Sequence, residues 1–478
     1  MNFKKTVFIL SLAFTICSYA VHAQKIAAGG WHSLVVCADS TVKAFGENAT
    51  GQIGDGTNTD RNVPTTVPGL TGIVAVSAGG DQLEAHSVAL KSDGTVWAWG
   101  SNLYGGLGNA SLVNTTAPVQ AITLSNVVAI SAGGWHTVAL KSDSTVWTWG
   151  WNIDGQLGDG TTTDRTIAGK VNGLSGVVAI EAGTYHVLAL KADGTVWAWG
   201  DNVSGQIGNG TTTDQTTPIQ VSGLTDVVKI ATGRFFSLAV KSDGTIWTWG
   251  ENLYGQLGDG TTTDRTTPVQ VTSFTGGVLA VTCGAFEVHV IKNDRTVWAW
   301  GRNTYGNIGD GTVVNRSLPV QMVGITDAEG LASGTNFALV YKTDGTFWGC
   351  GRNLSGQLGD GTFLQRNELT KSTLVCPIIQ QPNGISSPDG LDLIAVSAFP
   401  NPSASGKFTL QFSENANQFS NTNVEIYDLV GKKVFQSAID WNNSNAPFSI
   451  DLSNQANGIY FMTISAAGQR ISQKLIKQ

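Results

Sequence analysis

"DGTVWAWG" occupies residues 193–200, and near copies occupy 93–100, 143–150, 243–250 and 294–301. Each carries two tryptophans two residues apart. The closing glycine falls at Gly100, Gly150, Gly200, Gly250, Gly301 and Gly351, and "VKAFG" supplies an earlier copy ending at Gly46. Successive spacings are 54, 50, 50, 50, 51 and 50 residues. The long first spacing comes from "GGDQLEAH" (79–86), four residues longer than "GGWH" (133–136). The spacing of 51 fits one extra glycine at Gly276–Gly277. A fixed period of this size marks a repeat architecture.

The third copy shows the unit. "VVAISAG" (127–133) alternates apolar and small residues and predicts a strand. "HTVALK" (136–141) predicts a second strand after a Gly-rich turn. "SDS", elsewhere "SDG" or "ADG", predicts a hairpin turn with positive φ at both central residues. "TVWTWG" (145–150) is the third strand, and a turn-rich loop, "NIDGQLGDGTTTDRT" (152–166), follows. The fourth strand is weakest in this copy and clearest as "TPVQVTSF" (267–274). Four short strands per unit, seven times, predict an all-β fold: a seven-bladed β-propeller over residues 24–375. No segment has the 3.6-residue apolar period of a helical solenoid.

The run "GGWHTVALKSDSTVWTWGWNIDGQLGDGT" (133–161) resembles the regulator of chromosome condensation repeat, the unit of seven-bladed propellers. The resemblance covers about seven-tenths of the chain. That family includes nucleotide exchange factors for a small GTPase, a plant ultraviolet-B receptor and a bacterial β-lactamase inhibitor. The resemblance implies a propeller face or edge that binds a partner protein.

Strand residues two apart share a face. The tryptophans Trp97, Trp99, Trp147, Trp149, Trp197, Trp199, Trp247, Trp249, Trp298, Trp300 and Trp348 are therefore expected to fill the gaps between blades. The residue between each pair is small: Ala98, Thr148, Ala198, Thr248, Ala299. A binding surface or a light-absorbing array is the alternative. The motif degrades in the first copy, "DSTVKAFG" (39–46), and in the last, "DGTFWGCG" (344–351). An irregular junction is expected where those ends close the ring.

His32, His86, His136 and His186 share one repeat position, where later copies have Phe236, Glu287 and Phe337. Structural hydrogen bonding and metal ligation both use histidine; the repeat favours the first. "GDGTTTD" places carboxylates five apart, as Asp159 and Asp164, without the alternating oxygens of a calcium loop, so Asx-type turns are expected. No H-E-x-x-H, G-x-S-x-G or phosphate-binding loop occurs. No metal or cofactor is expected.

Function is expected where the copies differ. The turn before the second strand varies most: Trp31, "DQLEA" (81–85), Trp135, Tyr185, Arg234 with Phe235, Phe286, and Asn336. On one face these would form an aromatic ring suited to a protein or carbohydrate ligand. Alternatively they plug the central channel.

The chain ends address location. Lys4 and Lys5, an apolar run and a small-residue site after Ala23 predict a signal peptide over residues 1–23. The run is too short to span a membrane. Cys37, Cys283, Cys350 and Cys376 remain after cleavage. They match no metal motif, and either a Cys37–Cys376 bridge or unpaired buried thiols are consistent with export. Residues 376–394 read as a linker, and 395–478 as a small β-sandwich. "PNPSASG" (400–406), "IYDLVGK" (426–432), "GIYFMTI" (458–464) and "KLIKQ" (474–478) resemble the C-terminal sorting domain of the type IX secretion system. That resemblance implies the secretion machinery as a partner.

The 478 residues carry 13% charged groups and a net charge of −7, with no basic cluster for nucleic acid. The expected protein is a secreted or cell-surface monomer, without a transmembrane segment, that binds a protein or glycan and catalyses nothing. A polysaccharide-acting enzyme is the second expectation. A nucleotide-exchange protein is the third, opposed by export.

Overall fold

The hairpin turn of the quoted stretch sets the geometry of each unit. This computed structural model describes residues 25–81, 84–374, 396–399, 403, 405–412, 422–427, 432–439, 448–456, 458–466 and 469–477. The Gly194 N–H donates to the Lys191 carbonyl (3.0 Å), and the Lys191 N–H donates to the Thr195 carbonyl (3.0 Å). Positive φ is carried by Gly194 (77°) and not by Asp193, which corrects the expectation of two left-handed residues. The longer loop absorbs the strand twist with one such residue. Asp193 serves through its carboxylate, which accepts from the N–H (3.0 Å) and Oγ1 (2.6 Å) of Thr195.

Blade four then runs through strands Val177–Ala182, His186–Lys191, Val196–Gly200 and Gln215–Gln220. The second and third pair residue for residue, Val187 opposite Trp199 and Ala189 opposite Trp197. The fourth strand joins the third through a register shift between Ala198 and Gly200. All seven units repeat this order, spanning 26–66, 73–120, 127–170, 177–220, 227–270, 278–321 and 328–371. Each forms its own four-stranded antiparallel sheet of consecutive strands. In blade five the fourth strand is Arg265–Gln270, earlier than the 267–274 expected, because Val271 and Phe274 leave the strand to become buried. The seven sheets are the blades of a propeller.

Hydrophobic clusters lie between blades, not within them. Val138, Leu140 and Val146 of blade three pack with Ile180, Val187 and Trp199 of blade four. The junction of blades seven and one follows the same plan, so the expected irregularity is absent. Phe337, Leu339 and Leu358 pack against Ile26, Val35 and Phe45 there. The Thr335 N–H donates to the Gly29 carbonyl (3.1 Å), and Ser33 Oγ donates to the Gln357 carbonyl (2.8 Å). Local degradation of the motif leaves the joint intact because phenylalanine fills the tryptophan slot.

The chain divides into two compact units, Met1–Ile379 and Gln380–Gln478. In the second, one sheet holds Val396–Phe399, Lys407–Phe412 and Phe448–Asp451. The other holds Thr422–Tyr427, Lys433–Ile439, Gly458–Ala466 and Gln469–Lys477. Phe408, Leu410 and Ile450 of the first share a core with Val424, Ile426, Met462 and Ile464 of the second, which makes a β-sandwich. The expected signal peptide over 1–23, which contains Cys17, the expected linker over 376–394 and Cys376 lie outside the described residues. Cys37 is disulfide-bonded. Cys283 and Cys350 are free thiols. Among the described residues, no helix is long and apolar enough to cross a membrane.

Candidate functional site

Two of the three sequence motifs prove to be halves of one joint. The second tryptophan of each pair is fully buried, as Trp99, Trp149, Trp199, Trp249 and Trp300. Its indole donates to a carbonyl of the preceding blade: Trp99 to Gln52 (2.9 Å), Trp199 to Gln156 (2.9 Å), Trp300 to Gln256 (3.0 Å). Cys350 offers its thiol to Asn307 in the same way (3.5 Å). The first tryptophans sit at the margin of the same joints: Trp97, Trp147, Trp197, Trp247 and Trp298 pack against the inter-blade clusters. Trp97, Trp147, Trp197, Trp247, Trp298 and Trp348 are only half-buried. They lie nearer the hairpin turn, where the blades leave one edge to solvent. Each indole donates to its own blade's threonine, as Trp197 to Thr195 (3.3 Å), and a lysine stands over the ring, as Lys191 at 5.5 Å. That half-buried lysine covers apolar surface with its stem.

The histidines also join blades. His32 Nε2 bonds Ser87 Oγ (2.9 Å), and Ser87 in turn donates to the Gln52 carbonyl (2.7 Å). His86 and His186 meet Thr137 and Ser237 likewise. Both nitrogens of His136 are buried without a hydrogen bond, because the next blade presents Val187 there. Burial holds these rings neutral: it pushes His32, His136 and His186 down to about 3 and His86 to about 4. Glu287, at the same position in blade six, is pushed up to about 8 by burial.

The "GDGT" carboxylates are likewise committed to the scaffold. Asp259 Oδ1 accepts from Thr261 N–H (2.9 Å) and Oγ1 (2.7 Å), while Oδ2 pairs with Arg265 (2.8 Å). Asn252 Nδ2 spans the loop to the Thr261 and Thr263 carbonyls. These are the expected side-chain-organised turns.

What varies gathers on one face. First strands end, and third strands end, at the same end of every blade, so the 1–2 turns and 3–4 loops share a face. Trp135 and Tyr185 come from the turns of blades three and four. Tyr104 and Trp151 come from the loops of blades two and three. Trp135 and Trp151 meet edge-on at 5.2 Å, Tyr104 contacts both, and Tyr185 contacts both from the other side. Phe235 of blade five stacks on Tyr185 at 4.9 Å. Phe286 departs from the expected exposed ring: it is buried under Arg234 and Arg302, which approach its face at 5.7 and 5.4 Å, with Tyr254 edge-on. Trp31 stands apart on blade one, with the Arg352 guanidinium 3.8 Å over its ring.

The central channel is lined by small residues such as Ala28, Gly133, Ala182 and Gly284, and Arg234 lies at its wall. Its cavity is about 80 Å³, room for a few waters and too little for a sugar ring. The turn aromatics do not line it. What crosses the mouth is an ion pair: Asp81, from the long turn of blade two, meets Arg234 of blade five at 2.6 Å. Tyr185 Oη donates to Asp81 (3.1 Å) and accepts from Arg234 (3.2 Å).

Charge on this face is divided. Burial pushes Glu47 up to about 7 and Asp201 to about 6, with Asp60 adding to the first and Asp214 and Asp154 to the second. Glu251 is raised too, by burial and Asp264. At the position of Glu47, Asp201 and Glu251, blades six and seven carry Arg302 and Arg352. The turns were legible in sequence as Trp31, Trp135, Tyr185, Arg234, Phe235, Phe286 and Asn336. Tyr104, Trp151, Tyr254, Arg302 and Arg352 were not. For Trp151, Arg302 and Arg352 the signal was the residue straight after the third strand's glycine, which reads Glu47, Ser101, Trp151, Asp201, Glu251, Arg302 and Arg352 round the ring; Tyr104 and Tyr254 lie three residues further on.

Comparison with known proteins bears on the same architecture. Residues 112–400 match the family described as RCC1-like domain. Residues 23–52 and 40–90 match the regulator of chromosome condensation (RCC1) repeat. Residues 397–478 match the secretion system C-terminal sorting domain. The RCC1 domain-containing protein RUG3, mitochondrial, of Arabidopsis thaliana is 31% identical over 26% of this chain and 28% of its own length. The ultraviolet-B receptor UVR8 of the same plant is 30% identical over 24% of this chain and 26% of its own. The chain thus spans little more than a quarter of these relatives. Yeast RCC1 (Prp20), solved bound to Kap60, superposes with a TM-score of 0.64 at 19% identity, covering 82% of this chain and 94% of that one. Human WBSCR16 gives 0.59 at 23% identity over 66% and 86%. At such identities these structures establish the fold alone.

Proposed function

The chain belongs to the RCC1-like domain family and carries a secretion-system sorting domain, and from that premise we propose an exported propeller that captures a protein on the face bearing the 1–2 turns and 3–4 loops, without catalysis. One observation carries the reading: the contiguous cluster of Tyr104, Trp135, Trp151, Tyr185 and Phe235. It is assembled at positions the scaffold leaves free to vary. Tyrosine, tryptophan and arginine are the residues that dominate protein-interface energetics. A rim of half-exposed or more exposed aliphatics, including Leu103, Ile153, Val203 and Leu253, adds apolar contact area that a glycan does not need. The type IX machinery is the proposed export route, delivering the propeller to the cell surface or the medium.

Cross-linking capture from the cell-surface fraction tests this. Wild-type protein should retain a partner that the Trp151→Ala, Tyr185→Ala variant loses at unchanged melting temperature. Equal capture by both would remove this face from consideration.

A second reading has its own observation. Asp201 and Asp214 hydrogen-bond near Asp154, one carboxyl with a raised pKa, as glycoside chemistry requires. Yet Asp214 accepts from the Asn202 N–H (2.9 Å) and Asp201 from the Val203 N–H (2.9 Å), which ties both to the loop. Turnover of any polysaccharide, lost in Asp201→Asn, would favour an enzyme.

A further inference from the structure

Nearly every arginine of the propeller has a visible structural partner. Arg61, Arg165, Arg265, Arg316 and Arg366 pair with Asp55, Asp159, Asp259, Asp310 and Asp360 at one repeat position. Arg234 pairs with Asp81. Arg295, at the opposite face, donates to the Ala328 carbonyl (3.5 Å). Arg302 and Arg352 remain: Arg302 Nε donates to Thr304 Oγ1 (3.2 Å), and among the described residues neither guanidinium forms an ion pair. They occupy the same repeat position on adjacent blades, six and seven.

Both guanidiniums are held flat. Arg302 lies over Tyr254 (5.0 Å) and Phe286 (5.4 Å), and Arg352 over Trp31 (3.8 Å). Stacking fixes the plane and leaves edge donors for a carboxylate. One such donor, Nη1 of Arg352, is buried with no hydrogen bond. Glu47 and Asp60 lie within electrostatic reach of Arg352, and Glu287 within reach of Arg302, each without an ion pair among the described residues; burial pushes the Glu47 carboxyl up to about 7 and that of Glu287 to about 8.

The outer loops of the same two blades differ from their neighbours as well. Blades three to five carry "TTTD" after the glycine, whereas blade six carries "TVVN" and blade seven "TFLQ". Val313, Val314, Phe363 and Leu364 are consequently between 47% and 62% exposed. One sector of the face is thus both cationic and apolar, while the sector over blades four and five is acidic and threonine-rich.

We propose that the blade six–seven sector docks an acidic, apolar polypeptide segment, with Arg302 and Arg352 pairing its carboxylates and Val313, Val314, Phe363 and Leu364 packing its apolar side chains. Charge complementarity selects the acidic residues. A polypeptide is favoured over an acidic glycan because the rings beside the arginines, Trp31 and Tyr254, already have a face covered by guanidinium. The exposed aliphatics Val313, Val314 and Leu364 on the same two blades offer surface for apolar side chains and no ring for a sugar to stack on. This rests on the reading that the turn-and-loop face binds the partner.

Fluorescence anisotropy of the full chain tests it, with a labelled peptide alternating glutamate and leucine, its lysine–leucine counterpart, and an oligoglucuronate as competitor. Wild type should bind the acidic peptide, and R302E/R352E should weaken it by at least about tenfold while gaining the lysine peptide. R302Q/R352Q, which removes charge alone, carries the test if charge reversal lowers the melting temperature. Equal binding of both peptides, or indifference to both double variants, would overturn the assignment. Binding of the oligoglucuronate, labelled in its turn, with no binding of the acidic peptide would overturn the assignment and give the sector to an acidic glycan. If Trp151→Ala, Tyr185→Ala abolishes partner capture while the arginine variants do not, the face stands and this sector falls.

Discussion

Trp199 of blade four donates its indole N–H to the carbonyl of Gln156 in blade three at 2.9 Å. The same ring occupies the space above Gly158, where an added Cβ would stand 2.8 Å from Nε1. Gly158 has φ +64°, so its hydrogen serves both the backbone and the joint. Gly158→Ala should therefore destabilise by about 2–4 kcal/mol, through a left-handed alanine and an overpacked joint. Denaturant titration measures this. Trp199→Phe should be milder, because Phe45 fills the equivalent slot at Gly359. A harmless Gly158→Ala would mean that the joint yields.

Buried neutral histidine makes the fold acid-sensitive with a definite sign. An unfolded histidine titrates near 6.5, whereas His136 in the folded chain is pushed down to about 3. Between those values the unfolded state binds the proton and the native state does not. Stability is therefore lost as pH falls below 6.5, by about 1.4 kcal/mol per pH unit for this one ring. His136→Phe, which copies Phe236 and Phe337, removes that term along with two unpaired nitrogens. Its stability advantage over wild type should widen between pH 6 and 4 in urea titrations. Parallel pH profiles would contradict a neutral buried imidazole.

Asp81 and Arg234 strap the long turn of blade two across the channel mouth. Asp81→Asn removes the charge and keeps the shape. Amide exchange at Asp81 and Glu84 should quicken, with exchange in the second and third strands unchanged. The melting temperature should fall only slightly, since Arg234 retains partial exposure and its contacts with Tyr185, Phe235 and Phe286. Unaltered exchange in the turn would show that the backbone alone holds it.

The bonded state of Cys37 predicts a covalent clasp. With Cys283 and Cys350 free, the other cysteines of the chain are Cys17, within the expected signal peptide, and Cys376. Non-reducing digestion of the secreted protein should release one peptide joining Cys37 to Cys376, and reduction should lower the melting temperature. Recovery of Cys37 as an alkylatable thiol would exclude the bridge.

The sequence by itself determined the fold. The 50-residue period, the alternating strands and the DG-type turns are local regularities, and seven in-register copies leave one architecture that buries them all. It also pointed to the turns at Trp31, Trp135, Tyr185 and Phe286 as the variable positions. The tertiary structure decided the rest, because the deciding contacts join residues far apart in the chain. Trp197 and Trp199 are equivalent in a strand pattern, yet Trp199 is sealed in the joint and bonds the preceding blade, whereas Trp197 borders the same cluster and bonds its own turn. Phe286 reads as an exposed aromatic until Arg234 and Arg302, from neighbouring positions on the ring, cover it. Arg302 and Arg352 lie 50 residues apart in sequence. Only the packing of blade six on blade seven brings them to adjacent positions on one face, and only the full set of ion pairs among the described residues shows that these two are left without one.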